Sequence, residues 1–256
     1  MADETPIPVQ TKDKPGSTHK RYHWVYFAPL EKLVCFDYRK GRGRDGPEEF
    51  LESFRGMLQT DGYSAYDIYE KKDGITLYGC MAHARRKFEK AKENDLERAE
   101  HVLKSMQKLY LTERESKEKG LTFEQRKELR AEQSLPVLQE LEKWMKEQLS
   151  KVLPKSSIGQ AITYTLGLWN RLTRFVDNGK VEIDNNLIGN SIRPVALGRK
   201  NYLFAGSHEA ARQAAMIYSF PGTFKINSVE PLGWLRDVLQ RIQDHSIQKL
   251  DELLPC

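Results

Sequence analysis

The alternation of apolar and polar positions changes its rhythm along this chain. In the first third the apolar positions come in short aromatic and β-branched runs. "TPIPVQ" reads as a short extended segment. "RYHWVYFAPL" and "KLVCFDYR" read as two strands of a hairpin, joined through Pro29, Leu30 and Glu31, although these are not strong turn formers. A Gly-rich turn, "GRGRD", leads into "GPEEFLESF", where Pro47 followed by Glu48 and Glu49 marks a helix start. "GMLQTDGYSAYD" predicts a buried strand ending at the polar turn Asp61-Gly62. "GITLYGC" predicts another short strand, and "MAHARRKFEKAK" an amphipathic helix.

From about Asn94 to Ser150 charge dominates and the apolar period lengthens. Leu103, Met106, Leu109 and Tyr110 fall at helical spacing, as do Leu138, Leu141, Trp144 and Met145. The pattern predicts a helical hairpin turning near Gly120, with one apolar stripe packed on the body and solvated outer faces. After Pro154 a further helix runs to about Val176, "DNGK" turns, and everything from Asn185 onward reads as helical, ending in "PLGWLRDVLQRIQD". Within that stretch Pro221 and Gly222 predict a kink or break, because proline removes a helical hydrogen bond. The order β-β-β-α-β-(α)-β-α, then an all-helical insertion, then more helices, predicts an α/β domain with a mixed sheet. The expected parts are a sheet part at 1–93, the insertion at 94–154 and a C-terminal helical part at 155–256.

Composition changes this picture little. Hydrophobic residues make up 39% of the 256 and charged residues 30%, enough for a core with a well-solvated surface. The net charge of +5 admits a nucleic-acid partner without demanding one. Cys35, Cys80 and Cys256 lie far apart, so a disulfide framework is not indicated and a reducing cytoplasm is expected. The chain has no apolar run of membrane-spanning length and no secretory leader. It opens directly on strand-like "MADETPIPVQ", which suggests a fragment or an alternative start.

Candidate chemistry begins with carboxylates. Asp3 opens the first strand and Asp61 closes a later one, and strand ends can bring two acids to one sheet edge. Close carboxylates repel unless a cation lies between them, and a hard cation prefers such oxygen ligands. On spacing alone, a strand-end aspartate is most often a turn or cap residue. Cys80 and His83 have C-x-x-H spacing without a second pair, so a packed thiol and a hydrogen-bonded imidazole are expected in place of zinc. Arg85, Arg86 and Lys87 read either as a solvated helix face or as DNA-backbone contacts. Arg193, Arg199 and Lys200 alternate with Tyr202 and Phe204; the cations suit phosphate, while the aromatic pair is expected in the core. Gly41 to Asp45 form a basic turn that is solvated by default.

Taken together, "ADETPIPV", "LQTDGYSAYD", "GCMAHARRKF", "IDNNLIGNSIRPVALGRKNYLFAGS" and "VEPLGWLRDVL" resemble the core of the bacterial insertion-sequence-sixty-six transposases, in order and over nearly the whole chain. The resemblance implies an RNase H-like catalytic domain of the DDE type. Such a domain cuts DNA and joins 3′ ends with two divalent ions, Mg2+ or Mn2+, held by Asp, Asp and Glu. It also implies a DNA partner, a homo-oligomer on that DNA, a location in the bacterial cytoplasm, and further N-terminal DNA-binding segments that this chain does not contain. Asp3 and Asp61 match the two aspartates. The third acid belongs at the x of "DNNLIxNSIRP", where this chain has Gly189. Arg193, Arg199 and Lys200 are placed beside the acids and are expected to face DNA.

With Asn185 or Asn186 as N-cap, Gly189 falls in an early helical turn and costs about 1 kcal/mol against a good helix former. It also removes a side chain able to reach a metal, on the face it shares with Arg193. Without the resemblance, the glycine reads as allowing close helix-to-sheet packing. Glu182 lies about 10 Å away along any extended helix and Asp184 belongs to the turn, so neither is expected to replace the missing acid. The expectation is a DDE transposase core impaired at residue 189. The alternative is a non-catalytic DNA-binding or oligomerising remnant. A general RNase H-like nuclease is disfavoured, because the resemblance extends through the inserted helices.

Overall fold

The computed structural model describes residues 1–10 and 16–255, and Cys256 lies outside the described residues. The chain forms two compact units, Met1–Ser53 with Asn186–Cys256, and Phe54–Asn185.

The first unit is built on an antiparallel sheet of β1 (Ala2–Gln10), β2 (Thr18–Ala28) and β3 (Leu33–Arg39), in that order. β2 and β3 form the expected hairpin, and Lys32 takes the left-handed conformation in its turn. Burial alternates along β1 as the two-residue strand period requires. Ile7, Val9, Val25, Phe27, Val34 and Phe36 share one face. Two helices cover that face, α8 (Asn186–Tyr202) through Ile188 and Val195, and α9 (His208–Asn227) through Ala211 and Ala215. The opposite face buries Trp24 and Tyr26 beside α1 (Asp45–Phe50). A Cβ on Gly46 would come within 2.9 Å of the Trp24 indole nitrogen, and the Tyr26 ring stacks on Phe50 at 3.8 Å.

α9 also protects β3, whose outer N–H groups would otherwise lack partners. Ser219 Oγ accepts from Phe36 N–H at 2.9 Å and Thr223 Oγ1 from Val34 N–H at 3.2 Å. Gly222 sits against Val34, where a Cβ would come within 3.2 Å. The break expected at Pro221 does not occur, and α9 runs through it unbroken. Pro221 and Ile217, whose carbonyl loses its helical partner, are both exposed, so water can replace the missing bond. Beyond α9, α10 (Pro231–Arg241) packs Trp234 against Phe220 and Phe224.

The second unit opens with β4 (Gly56–Gln59) and β5 (Ile75–Tyr78), a parallel pair joined by a 3-10 helix at Ser64–Lys71. The strands of the expected mixed sheet therefore lie in two separate sheets, one antiparallel and one parallel. Helix α2 (Met81–Ala91) follows, then the predicted insertion. α3 (Leu96–Glu118) starts on an Asp95 side-chain cap, and the chain turns at Gly120 with φ +60°. α4 (Phe123–Leu129) starts on a Thr122–Gln125 capping box and passes through a π-helical turn, Arg130–Ser134, into α5 (Leu135–Leu149). Of the predicted stripe, Leu103, Met106, Leu109, Leu138, Leu141 and Met145 are buried, and Tyr110 and Trp144 are half-buried. α6 (Ser157–Gly167) and α7 (Trp169–Thr173) complete the core.

One polar knot lies inside this unit. Arg130 is fully buried. It donates to both oxygens of Glu113 and to the carbonyls of Phe175, Asn178 and Val181, at 2.7–2.9 Å. Arg126 donates to Glu113, to the Gly179 carbonyl and to both Glu182 oxygens. The insertion thus fixes the loop 175–182 through its backbone. Among the described residues, no helix is long and apolar enough to cross a membrane.

Candidate functional site

The expected site residues are divided between the units. In the first, Asp3 has the strand parity of Thr5, Ile7 and Val9, so it belongs to the sheet face that α8 covers, and it pairs across β2 with Val25. Its Oδ1 accepts from the Glu4 N–H at 2.7 Å. Glu4 points the other way and is engaged by Arg42 of the basic turn, through Nε at 2.7 Å and through Nη2. Gly189 lies in the first turns of α8 and is exposed. A Cβ there would meet nothing within 4 Å, so close packing does not account for the glycine.

The cations of α8 divide. Arg193 and Lys200 are exposed and form no ion pair among the described residues. Arg199 is half-buried and donates to Thr5 Oγ1 at 3.0 Å and to the Pro6 carbonyl, tying the end of α8 to β1. Tyr202 and Phe204, expected in the core, are exposed at 77% and 43%. Their segment leaves the helix through Leu203, which is left-handed, and pairs as a single bridge with Val9. That geometry turns the side chains outward. Next to the sheet, His23 is buried among Phe36, Tyr38 and Tyr218 and bonds the Ala211 carbonyl at 3.1 Å. Burial pulls its imidazole down to about 4, with the nearby Arg199 charge pushing the same way.

In the second unit Asp61 follows β4 in a tight turn. Its Oδ1 accepts from the Tyr63 N–H at 2.8 Å, and its backbone carbonyl accepts from the Tyr164 hydroxyl of α6 at 2.8 Å. Gly62 has φ +87°, which favours glycine, and a Cβ there would collide with Leu168. Burial raises the Tyr164 phenol to about 12, and the Asp61 charge adds to that.

The start of α2 lies close by in the same unit. Cys80 is buried and accepts from the Asn185 N–H at 3.4 Å, and burial pushes its thiol up to about 11, an unreactive state. Burial lowers the His83 imidazole from its ordinary value, against the pull of Asp61 and Asp184, and its Nε2 lies 3.2 Å from the Arg86 guanidinium. The packed thiol and hydrogen-bonded imidazole expected from the sequence are both present. Arg85 pairs with Glu89 at 2.9 Å, while Lys87 lies over the Tyr164 ring, 5.0 Å from its centroid.

The two neighbouring acids are engaged. Glu182 is half-buried, which opposes ionisation, yet Arg126 and Lys117 hold its carboxyl below the usual range. Asp184 Oδ2 accepts from the Tyr110 hydroxyl at 2.9 Å. The sequence showed Tyr110 only as part of the apolar stripe and Tyr164 not at all, since their hydrogen-bond partners lie 74 and 103 residues away.

Asp3 and Asp61 each present carboxylate oxygens of the kind a hard cation prefers, each with one oxygen already oriented by a backbone N–H. Residue 189, a glycine, offers no donor atom, and no group of three or more His, Cys, Asp or Glu able to hold a metal occurs among the described residues.

Comparison with known proteins completes the description. The model of the Transposase IS66 family matches residues 1–213, and that of the IS66 C-terminal element matches residues 219–256. Three proteins of Sinorhizobium fredii are similar along the chain: the uncharacterized proteins y4qI, y4jD and y4hP, at 36%, 34% and 32% identity. The alignments cover 100%, 89% and 99% of this chain and 50%, 46% and 49% of those proteins, so the chain spans about half the length of the curated relatives it matches. No solved structure matches it.

Proposed function

The chain belongs to the IS66 transposase family, and from that premise we propose that it is a DDE-type catalytic core acting on DNA phosphodiesters, impaired by the glycine at residue 189. In this reading β1-β2-β3 followed by β4 and β5 are the strands of an RNase H-like core, carrying Asp3 and Asp61 as its first two acids. The observation that carries the reading is the family match, which runs without interruption through both acid-bearing segments and the inserted helices. The open space around Gly189 supports it further, because nothing in the packing calls for a glycine there.

Asp3 and Asp61 would hold Mg2+ or Mn2+, which supplies charge neutralisation at the phosphodiester being cut. The chain's own groups then have separate tasks. Arg193 and Lys200 meet backbone phosphate. Arg199 fixes the end of α8 on β1 and presents the rest of its guanidinium. Arg85 and Arg86 add phosphate contacts from α2, and the half-buried His83 keeps Arg86 in place. The protein acts on DNA as a homo-oligomer in the bacterial cytoplasm.

The missing acid favours a second reading, a non-catalytic DNA-binding or oligomerising remnant. Gly189→Glu separates the two. The catalytic-core reading expects Mg2+- or Mn2+-dependent cleavage of element-end DNA to rise from background in Gly189→Glu and to vanish again when Asp61→Ala is added. Calorimetry should find tighter Mn2+ binding in Gly189→Glu than in the wild type. Equal metal binding and no cleavage in both would leave the remnant.

A further inference from the structure

Tyr164 touches two groups of different chemistry, and neither contact is explained by packing alone. Its hydroxyl donates to the Asp61 carbonyl, and its ring lies under the Lys87 ammonium at 5.0 Å. We propose that Lys87 is a DNA-phosphate contact and that Tyr164 is the positioning residue holding this ammonium and the Asp61 turn in one frame. The proposal rests on the transposase-core reading, which supplies the DNA.

The local geometry supports it in three ways. Lys87 is exposed, and no carboxylate pairs with it among the described residues, whereas Arg85 beside it is paired with Glu89. An aromatic face orients an ammonium without neutralising it, so the full charge stays available to a polyanion. The Asp61 turn is defined on every side. Tyr63 N–H fixes the carboxylate, Gly62 supplies the positive φ, and the Tyr164 hydroxyl and Leu168 press against the turn where a Cβ would sit. Lys87, Tyr164 and Asp61 also come from three elements of one compact unit, namely α2, α6 and the β4 exit. Their juxtaposition is therefore a tertiary arrangement and not a local sequence effect.

The test measures binding of a short labelled duplex by the full chain over a salt series, without divalent ion. Lys87→Ala should lower the salt slope by about 0.9 and the affinity about eightfold at roughly 0.1 M salt, as expected for one lost phosphate contact. Lys104→Ala, an exposed lysine on α3 paired with Glu100, should leave both unchanged. Tyr164→Leu should match Lys87→Ala, and the double variant should lose nothing more, which is the signature of one coupled pair. Tyr164→Phe keeps the ring and should keep the wild-type slope, while its Mn2+ affinity falls about tenfold, as expected when a group that orients a ligand is lost. Should Tyr164→Leu fail to fold by circular dichroism, the contrast between Lys87→Ala and Tyr164→Phe decides.

A wild-type chain that binds no DNA overturns the transposase-core reading and this proposal with it. DNA binding with an unchanged Lys87→Ala slope overturns the role of Lys87 alone. A Tyr164→Phe variant with wild-type Mn2+ affinity removes Tyr164 from the Asp61 turn.

Discussion

The two units contain the same kinds of element but hold their loops differently. In the second, a loop without regular structure, around 178–182, is held by two buried arginines and one buried glutamate. In the first, the comparable junction between α8 and β1 is held by apolar contacts, two backbone hydrogen bonds of Ala205 and a single half-buried Arg199. The first unit also leaves much apolar surface uncovered. Leu232, Leu235 and Leu239 of α10 and Ile242 just after it form one exposed stripe, and Leu203 and Ile217 are exposed as well. Polar burial specifies a single geometry only when every partner is present, whereas apolar contact tolerates adjustment. The contrast therefore predicts a rigid second unit and a more adaptable first one.

The largest expected effect tests that contrast directly. Arg130→Ala would leave Glu113 with Arg126 alone and take a charged donor from the carbonyls of Phe175, Asn178 and Val181, at a cost of about 3–5 kcal/mol. Arg199→Ala removes bonds that water can replace and should cost about 2 kcal/mol. Native-state hydrogen exchange reads the units separately and is the suitable measurement. Equal losses of protection in the two variants would erase the distinction.

Next comes pH. His23 has its pKa depressed by burial, so the folded first unit binds fewer protons there than the unfolded chain does. Its contribution is fully present above the ordinary imidazole value of about 6.5 and is lost as pH falls from there toward about 4, by at most about 3 kcal/mol. The stability of His23→Gln, followed by chemical denaturation across this window, should show a shallower acid slope than the wild type. Parallel slopes would mean that the ring is already solvated in the native state.

How much of this was legible in the sequence follows from how far each signal reaches. The strands, the β2–β3 hairpin, the inserted helices and the turn at Gly120 are encoded within a few residues, and the spacing of Leu103, Met106 and Leu109 was enough to place them. The Arg126–Arg130 knot was invisible, because two arginines in a charged stretch read as solvent-facing until loop 175–182 comes back against them. Pro221 misled for a related reason. The rule about helix interiors concerns a hydrogen bond whose loss matters little on an exposed face. The outward turn of Tyr202 and Phe204 depends on the left-handed Leu203, which no propensity announces. For the candidate site, the motif resemblance gave Asp3, Asp61 and residue 189, but Tyr164 and Tyr110 needed coordinates, since each acts across more than seventy residues.

The smallest effects come from two glycines and should have opposite signs. Gly179 lies against the insertion, and a Cβ there would fall 1.8 Å from the Phe123 carbonyl oxygen. Gly179→Ala must therefore push α4 away from the loop it holds, which should destabilise the second unit by about 1–3 kcal/mol, the usual range for overpacking. Gly189 has nothing within 4 Å of that position and lies in a helix, so Gly189→Ala should stabilise the first unit by up to about 1 kcal/mol through helix propensity alone. Thermal unfolding of the two variants beside the wild type measures both signs. If Gly189→Ala destabilised the protein, residue 189 would have a conformational reason to be glycine, and its reading as a lost acid would weaken. If it stabilised as expected, the glycine would be a residue the fold does not need, which is what the proposed loss of an acid there requires.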